Sequence, residues 1–270
     1  MRLSRFAACA SSLLLAVSCA VTGAATGQAS PREAAATGYV ALGDSYSSGV
    51  GAGSYIGSSV DCLRSNRAYP VLWAAAHSPS SFSFTACNGA STRDVLARQL
   101  GPLSARTGLV SITVGGSDAG FADVMTTCVL QDTRACLSDI AQAHAYMERK
   151  LPDALDRVYT AIRRKAPAAH VVVLGYPRLY QLDGTCTGGL SETERSALND
   201  AVDHLNGVTA KRAADHGFTF GDVRTTFSGH GICSRRPWLR SINWLALTES
   251  YHPTATGQAR GYLPVFTDAT

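Results

Sequence analysis

The chain is poor in charge, and in lysine above all: only 16% of its 270 residues are Asp, Glu, Lys or Arg, and arginine carries most of the positive side. Disorder needs high charge and few apolar residues, whereas 46% of this chain is hydrophobic, enough to bury one substantial core as one domain rather than two. No basic run exceeds Arg163-Arg164-Lys165 or Arg235-Arg236, so the formal charge of +4 and the pI near 8.7 give little support to nucleic-acid binding. Beyond the N-terminus no segment is apolar for long enough to span a bilayer. No two cysteines are spaced as C-x-x-C, which argues against a zinc site. Internal repeats and dividing linkers are also missing.

What the chain does have begins at Met1-Arg2-Leu3-Ser4-Arg5, followed by an apolar stretch from Phe6 to about Val21 and small residues through Ala36. That order of charged, apolar and small residues predicts a secretory signal peptide with a short leader over residues 1–36, leaving 37–270 as a single domain. Of eight cysteines, Cys9 and Cys19 would leave with the signal. The even remainder, Cys62, Cys87, Cys128, Cys136, Cys186 and Cys233, suggests disulfides outside the cell, with fifteen pairings open.

The chemistry centres on Tyr39-Val40-Ala41-Leu42-Gly43-Asp44-Ser45-Tyr46-Ser47-Ser48-Gly49-Val50-Gly51. A β-compatible apolar run breaks off at Gly43 and delivers an acid, a serine and a glycine-rich turn to the end of a strand. A serine held there can act as a nucleophile, because glycine permits the tight turn and the following segment offers backbone NH groups to an anion. Gly49 to Ser59 is expected as an exposed loop. Further strands are predicted at Phe82–Ala86, reaching the Asn88-Gly89 turn, and at Leu109–Val114, Val171–Leu174 and Phe218–Phe220. Helical spacing covers Asn66–His77, a short stretch capped by Thr92 and running to Leu100, Ser138–Lys150, Pro152–Lys165, and Thr254 to about Tyr262. Ser191 and Glu194 form a capping box that opens a long helix ending before Gly217. Between Phe121 and Cys136 a helix start and then a small loop are expected. Strands alternating with helices imply an α/β fold, a parallel sheet of about five strands with helices on both faces, its site beyond the carboxyl ends of the strands.

Four separated segments resemble, in order, the four blocks of the SGNH hydrolases, also called GDSL lipases and esterases: Gly43-Asp44-Ser45, Gly89 in Ala86-Cys87-Asn88-Gly89-Ala90, Gly115-Gly116-Ser117-Asp118, and His252-Pro253. From about Tyr39 to the C-terminus the chain is similar to the secreted, disulfide-bonded lipases of streptomycetes. Two departures stand out, Tyr46 in place of Leu and Ser117 in place of the block III Asn. The resemblance implies a three-layer α/β/α sandwich of flavodoxin-like type, pairing of Cys62 with Cys87, Cys128 with Cys136 and Cys186 with Cys233, and no metal or organic cofactor.

Within that likeness Ser45 is the expected nucleophile and His252 its base, chosen among seven histidines because it precedes Pro253 on a loop that can fold back over the sheet edge. Glu249, three residues earlier, is the expected orienting acid, with the backbone carbonyl of Ser250 as its alternative. The expected oxyanion donors are the NH of Ser45, the NH of Gly89 and the side chain of Ser117. Asp44 and Asp118 are read as structural. The apolar stretch Pro237 to Leu247 reads either as an acyl-chain groove and lipid-facing lip or as ordinary packing. The expected activity is a secreted lipase or carboxylesterase on medium- to long-chain acyl esters, with a lipid or other ester as substrate, no nucleic-acid partner, and nothing to suggest more than a monomer. The rivals are a phospholipase A1, favoured if Arg235 and Arg236 line the site mouth, an acetyl esterase on polysaccharide, and a non-catalytic ligand-binding module.

Overall fold

The structure is a computed structural model that describes residues 38–270; the expected signal peptide, with Cys9 and Cys19, lies outside them. Five strands form one parallel sheet: β1 Gly38–Gly43, β2 Phe82–Phe84, β3 Thr107–Thr113, β4 His170–Leu174 and β5 Thr219–Gly221, in the order β2-β1-β3-β4-β5. β1 and β3 pair from Gly38 opposite Thr107 to Gly43 opposite Thr113. Both are buried along most of their length, as befits strands covered on two faces. The strand order reverses between β1 and β3, and in open α/β sheets that is where a ligand crevice forms.

Helices α2 (Tyr69–His77) and α8 (Leu263–Asp268) pack as a pair. Their aromatic side chains Trp73 and Phe266 meet Tyr39 of β1 at ring separations of 5.2 and 5.5 Å. A second group comprises α4 (Phe121–Leu130), α5 (Thr133–Arg149), α6 (Leu151–Lys165) and α7 (Glu192–Asp215), packed on one another, with α7 also against β4 and β5. Two layers of helix thus enclose the sheet. The long α7 opens with the expected capping box, in which the Ser191 hydroxyl and the Glu194 carboxylate satisfy each other's backbone NH groups. The three disulfides join Cys62 to Cys87, Cys128 to Cys136 and Cys186 to Cys233.

Several local expectations change. Ser91, not Thr92, caps the short α3 (Thr92–Asp94), because its hydroxyl reaches the NH of Asp94 while the Asp94 carboxylate reaches back. That helix runs on as a wider turn over Val95–Gln99. The segment closed by Cys128 and Cys136 is a corner rather than a loop: only Gln131 and Asp132 separate α4 from α5, and Asp132 caps the latter. The closing helix continues past Tyr262 to Asp268, after a widened turn over Gly257–Tyr262. Finally, Gly49–Ala52 is buried, not exposed, since the chain around His252 lies against it.

Candidate active site

Gly43 ends β1 with φ +124°, and a Cβ there would lie 2.5 Å from the carbonyl oxygen of Thr113, so the chain can turn off the sheet only without a side chain. Asp44 follows as N-cap of the single turn α1 (Ser45–Ser48), which Gly49 closes in the left-handed conformation. One Asp44 oxygen accepts the NH of Tyr46 at 3.0 Å and the hydroxyl of Thr113 at 2.6 Å, and the other accepts the hydroxyl of Tyr176. Asp44 therefore braces the turn and bridges β1, β3 and the segment after β4. Burial raises its carboxyl to about 6 despite these bonds.

Ser45 opens α1 and is nearly covered, as is His252. The imidazole Nε2 stands 2.7 Å from the Ser45 hydroxyl oxygen. The other ring nitrogen, Nδ1, lies 2.9 Å from the backbone carbonyl oxygen of Ser250. A carbonyl only accepts, so Nδ1 carries the proton and Nε2 is left free to take one from the serine. Burial pushes His252 down to about 4, keeping it neutral at ordinary pH. The other six histidines lie elsewhere; His77 bonds the Trp73 carbonyl, His216 the Asp156 carboxylate and His170 the Ala269 carbonyl.

Glu249 does not take the position expected of it. Its carboxylate accepts the hydroxyl of Tyr55 at 2.6 Å and pairs with Arg240 at 3.3 Å, while Ser250 occupies the place beside Nδ1. Two strong donors compete for that carboxylate, and the short Leu247–Glu249 helical turn places Ser250 rather than Glu249 next to the ring. The Tyr46 departure also acquires a reason. Its hydroxyl donates to the carbonyl of Tyr251 at 2.8 Å and its ring lies 5.2 Å from that of His252, so it ties the serine turn to the histidine loop. Sequence reasoning missed Tyr46, Tyr55, Tyr176 and Arg240 as parts of this centre; the substitution at position 46 was the one local signal.

Gly89 and Ser117 both line the cavity that opens over Ser45 and His252. Gly89 has φ +70°, and a Cβ there would meet no atom within 4 Å, so its backbone faces open space at the site. Asp118 is turned away to accept the NH and hydroxyl of Thr92 at 2.9 and 2.6 Å. The cavity has a volume of about 620 Å³ and is walled by Phe121, Met125, Val129, Leu179, Leu205 and Ile242 among others. Trp244 and Leu247 stand at its rim, both largely exposed, beside a fully exposed Leu245. Among the described residues no lysine or arginine lines it, Arg235 and Arg236 included.

A strand-end serine bonded to a neutral imidazole, at the floor of an apolar cavity, is the arrangement of an acyl-transfer centre. The family model of the GDSL-like Lipase/Acylhydrolase family matches residues 41–260. The chain belongs to that family. It is an ester hydrolase. Over the whole of both chains it is 67% identical to Lipase 1 of Streptomyces coelicolor and 62% identical to a lipase of Streptomyces rimosus. Among solved structures it resembles the extracellular lipase of Streptomyces rimosus, with TM-score 0.85 and 64% identity, and phospholipase A1 of Streptomyces albidoflavus, with TM-score 0.86 and 60% identity. In each case 87% of this chain covers the whole of that one. These matches share the three-layer fold and its five-stranded parallel sheet.

Proposed function

We propose that the protein is a secreted lipase or carboxylesterase in which Ser45 attacks the ester carbonyl and His252 moves the proton. The observation that carries this reading is the 2.7 Å contact between the Ser45 hydroxyl oxygen and His252 Nε2 at the floor of the apolar cavity. His252 takes the serine proton as the bond from Ser45 Oγ to the acyl carbon forms, then gives it to the alkoxide as the bond from the acyl carbon to the alcohol oxygen breaks, leaving an acyl-enzyme. Water, deprotonated in turn by His252, attacks the acyl carbon; the bond to Ser45 Oγ breaks, the acid leaves, and His252 returns the proton to the serine. The carbonyl of Ser250 fixes the tautomer throughout. Backbone NH groups of Ser45 and Gly89, with the Ser117 hydroxyl, receive the oxyanion.

Medium- to long-chain acyl groups fit the aliphatic and aromatic walls. Residues 37–270 supply this chemistry as one domain, and export is supported by the three disulfides and by the leader-like N-terminus. Among the described residues no helix is long and apolar enough to cross a membrane.

The likeness to a phospholipase A1 favours a second reading, the sn-1 ester of a phospholipid as substrate. The absence of lysine and arginine from the cavity walls weighs toward uncharged esters. One experiment separates them: hydrolysis of a chain-length series of p-nitrophenyl esters, a triacylglycerol and a phosphatidylcholine by the mature protein and by Ser45→Ala. Serine-dependent turnover rising with chain length and faster on triacylglycerol supports the lipase, and a faster phospholipid reaction replaces it with the second reading. Turnover retained by Ser45→Ala refutes both.

A further inference from the structure

We propose that Tyr55, Glu249 and Arg240 form a latch that clamps the Gly51 peptide against His252 and so sets the position of the imidazole over Ser45. This rests on the reading of Ser45 and His252 as nucleophile and base. The Gly51 peptide is held at both ends. Its NH donates to the Tyr55 hydroxyl at 3.0 Å, and its carbonyl accepts from Arg240 Nε at 2.5 Å. Glu249 closes the ring, accepting the same Tyr55 hydroxyl at 2.6 Å and pairing with Arg240 Nε at 3.3 Å.

What the clamp presses upon is His252 itself. Gly51 has φ +86°, and a Cβ built on it would lie 2.9 Å from the Cβ of His252 and 2.9 Å from the carbonyl oxygen of Pro253. The backbone at Gly51 is thus one wall of the histidine's seat, two residues beyond the turn that carries Ser45. Arg240 serves that seat a second time through its main chain, its NH donating to the His252 carbonyl and its carbonyl accepting the NH of Tyr251, both at 2.9 Å. The latch therefore links the serine turn and the Tyr55 loop to the histidine loop, which follows nearly two hundred residues later in sequence. All three side chains are partly shielded, Glu249 more than Arg240. Glu249 holds the position where the family pattern places an orienting acid, and here it steadies the histidine indirectly, as a positioning residue. A displacement of the base from its near-attack distance is felt in turnover rather than in substrate capture.

The test is steady-state hydrolysis of a short, soluble p-nitrophenyl ester by full-length mature variants, with melting temperatures recorded alongside. Tyr55→Phe removes one hydroxyl and keeps the ring. It is expected to lower kcat about tenfold, the equivalent of about 1.4 kcal/mol in the barrier, at unchanged KM and nearly unchanged melting temperature. Glu249→Ala is expected to do the same. Glu249→Gln, which keeps an acceptor for Tyr55, should recover to within about threefold of the parent. The double variant Tyr55→Phe/Glu249→Ala should be no slower than either single one, since all break one ring. Parental kcat in Tyr55→Phe overturns the latch, as does multiplication of the two single losses, or a loss confined to KM and melting temperature. Ser45→Ala, run in parallel, keeps the two questions apart: its residual turnover tests the nucleophile, whereas the latch is read from ratios among variants that all retain Ser45.

Discussion

Asp44 and His252 are both buried beside Ser45, and their effects on stability run in opposite directions as pH falls. Above pH 6.5 His252 is neutral in the folded and unfolded chain and contributes nothing. Between pH 6.5 and about 4 the unfolded chain binds a proton that the folded imidazole refuses, so stability is lost on acidification. A difference of one pH unit between folded and unfolded pKa corresponds to about 1.4 kcal/mol, which makes the full loss about 3 kcal/mol. Asp44 does the reverse. Above pH 6 its buried charge weakens the fold, and between about 6 and 3.8 the folded carboxyl takes its proton first, restoring about 3 kcal/mol. The two terms nearly cancel in the parent protein, and Asp44→Asn should uncover the histidine term. Asparagine keeps an acceptor for the Tyr46 NH and the Thr113 hydroxyl, and its NH2 group meets the Tyr176 hydroxyl, which can turn to accept, so the turn itself survives and any cost of that exchange is independent of pH. Urea unfolding of the two proteins with disulfides intact, at pH values between about 7 and 4, is the assay. The advantage of Asp44→Asn over the parent should shrink by about 3 kcal/mol across that range, equivalent to roughly 6–12 °C in melting temperature for a domain of this size. A constant offset between the two curves would refute the raised Asp44 carboxyl, and an Asp44→Asn stability that does not fall between about pH 6.5 and 4 would refute the lowered His252.

The acid limb of kcat/KM should report the free base and fall near pH 4 rather than near 6.5, because His252 stays neutral down to about 4; a limb near 6.5 in a pH–rate profile contradicts it. Ser117→Asn should raise kcat on a soluble ester by supplying a longer oxyanion donor, and an unchanged rate means that the hydroxyl already suffices. Trp244→Ser with Leu245→Ser should slow hydrolysis of emulsified long-chain ester several-fold while sparing a short soluble ester, since Trp244 is exposed at the cavity rim and Leu245 is exposed next to it; equal losses on the two substrates would place them in packing instead.

What could be read from sequence was what local chemistry decides. Gly43-Asp44-Ser45 announces a turn because no side chain fits at Gly43 beneath Thr113, and that constraint acts over a few residues. Ser191 and Glu194 announce a helix start for the same reason. Glu249 was misread because the outcome is a competition: Tyr55 and Arg240 reach its carboxylate from separate segments, and neither partner is visible from the spacing to His252. The burial of Gly49–Ala52 depends likewise on a loop that arrives two hundred residues later. The widened turns at Val95–Gln99 and Gly257–Tyr262 leave no mark on apolar periodicity. At Cys128–Cys136 the pairing was implied, but the two-residue corner it fastens was not.

The replacement of a carboxylate by the Ser250 carbonyl has a consequence for how the centre works. Either group fixes the Nδ1 proton and so the tautomer, which is the geometric half of the orienting role. Only a carboxylate adjacent to the ring also favours the imidazolium strongly, and without it burial prevails and His252 falls to about 4. The base is then weaker as a proton acceptor yet remains neutral far into acid. Glu249, held in the latch, still exerts a smaller attraction on the imidazolium from one side. The oxyanion donors and the apolar seat must therefore supply more of the barrier reduction than they would in a full triad. On the proposed mechanism that places the greatest sensitivity at Gly89, Ser117 and the position of the ring itself, and it is why loosening the Gly51 clamp is expected to register in kcat.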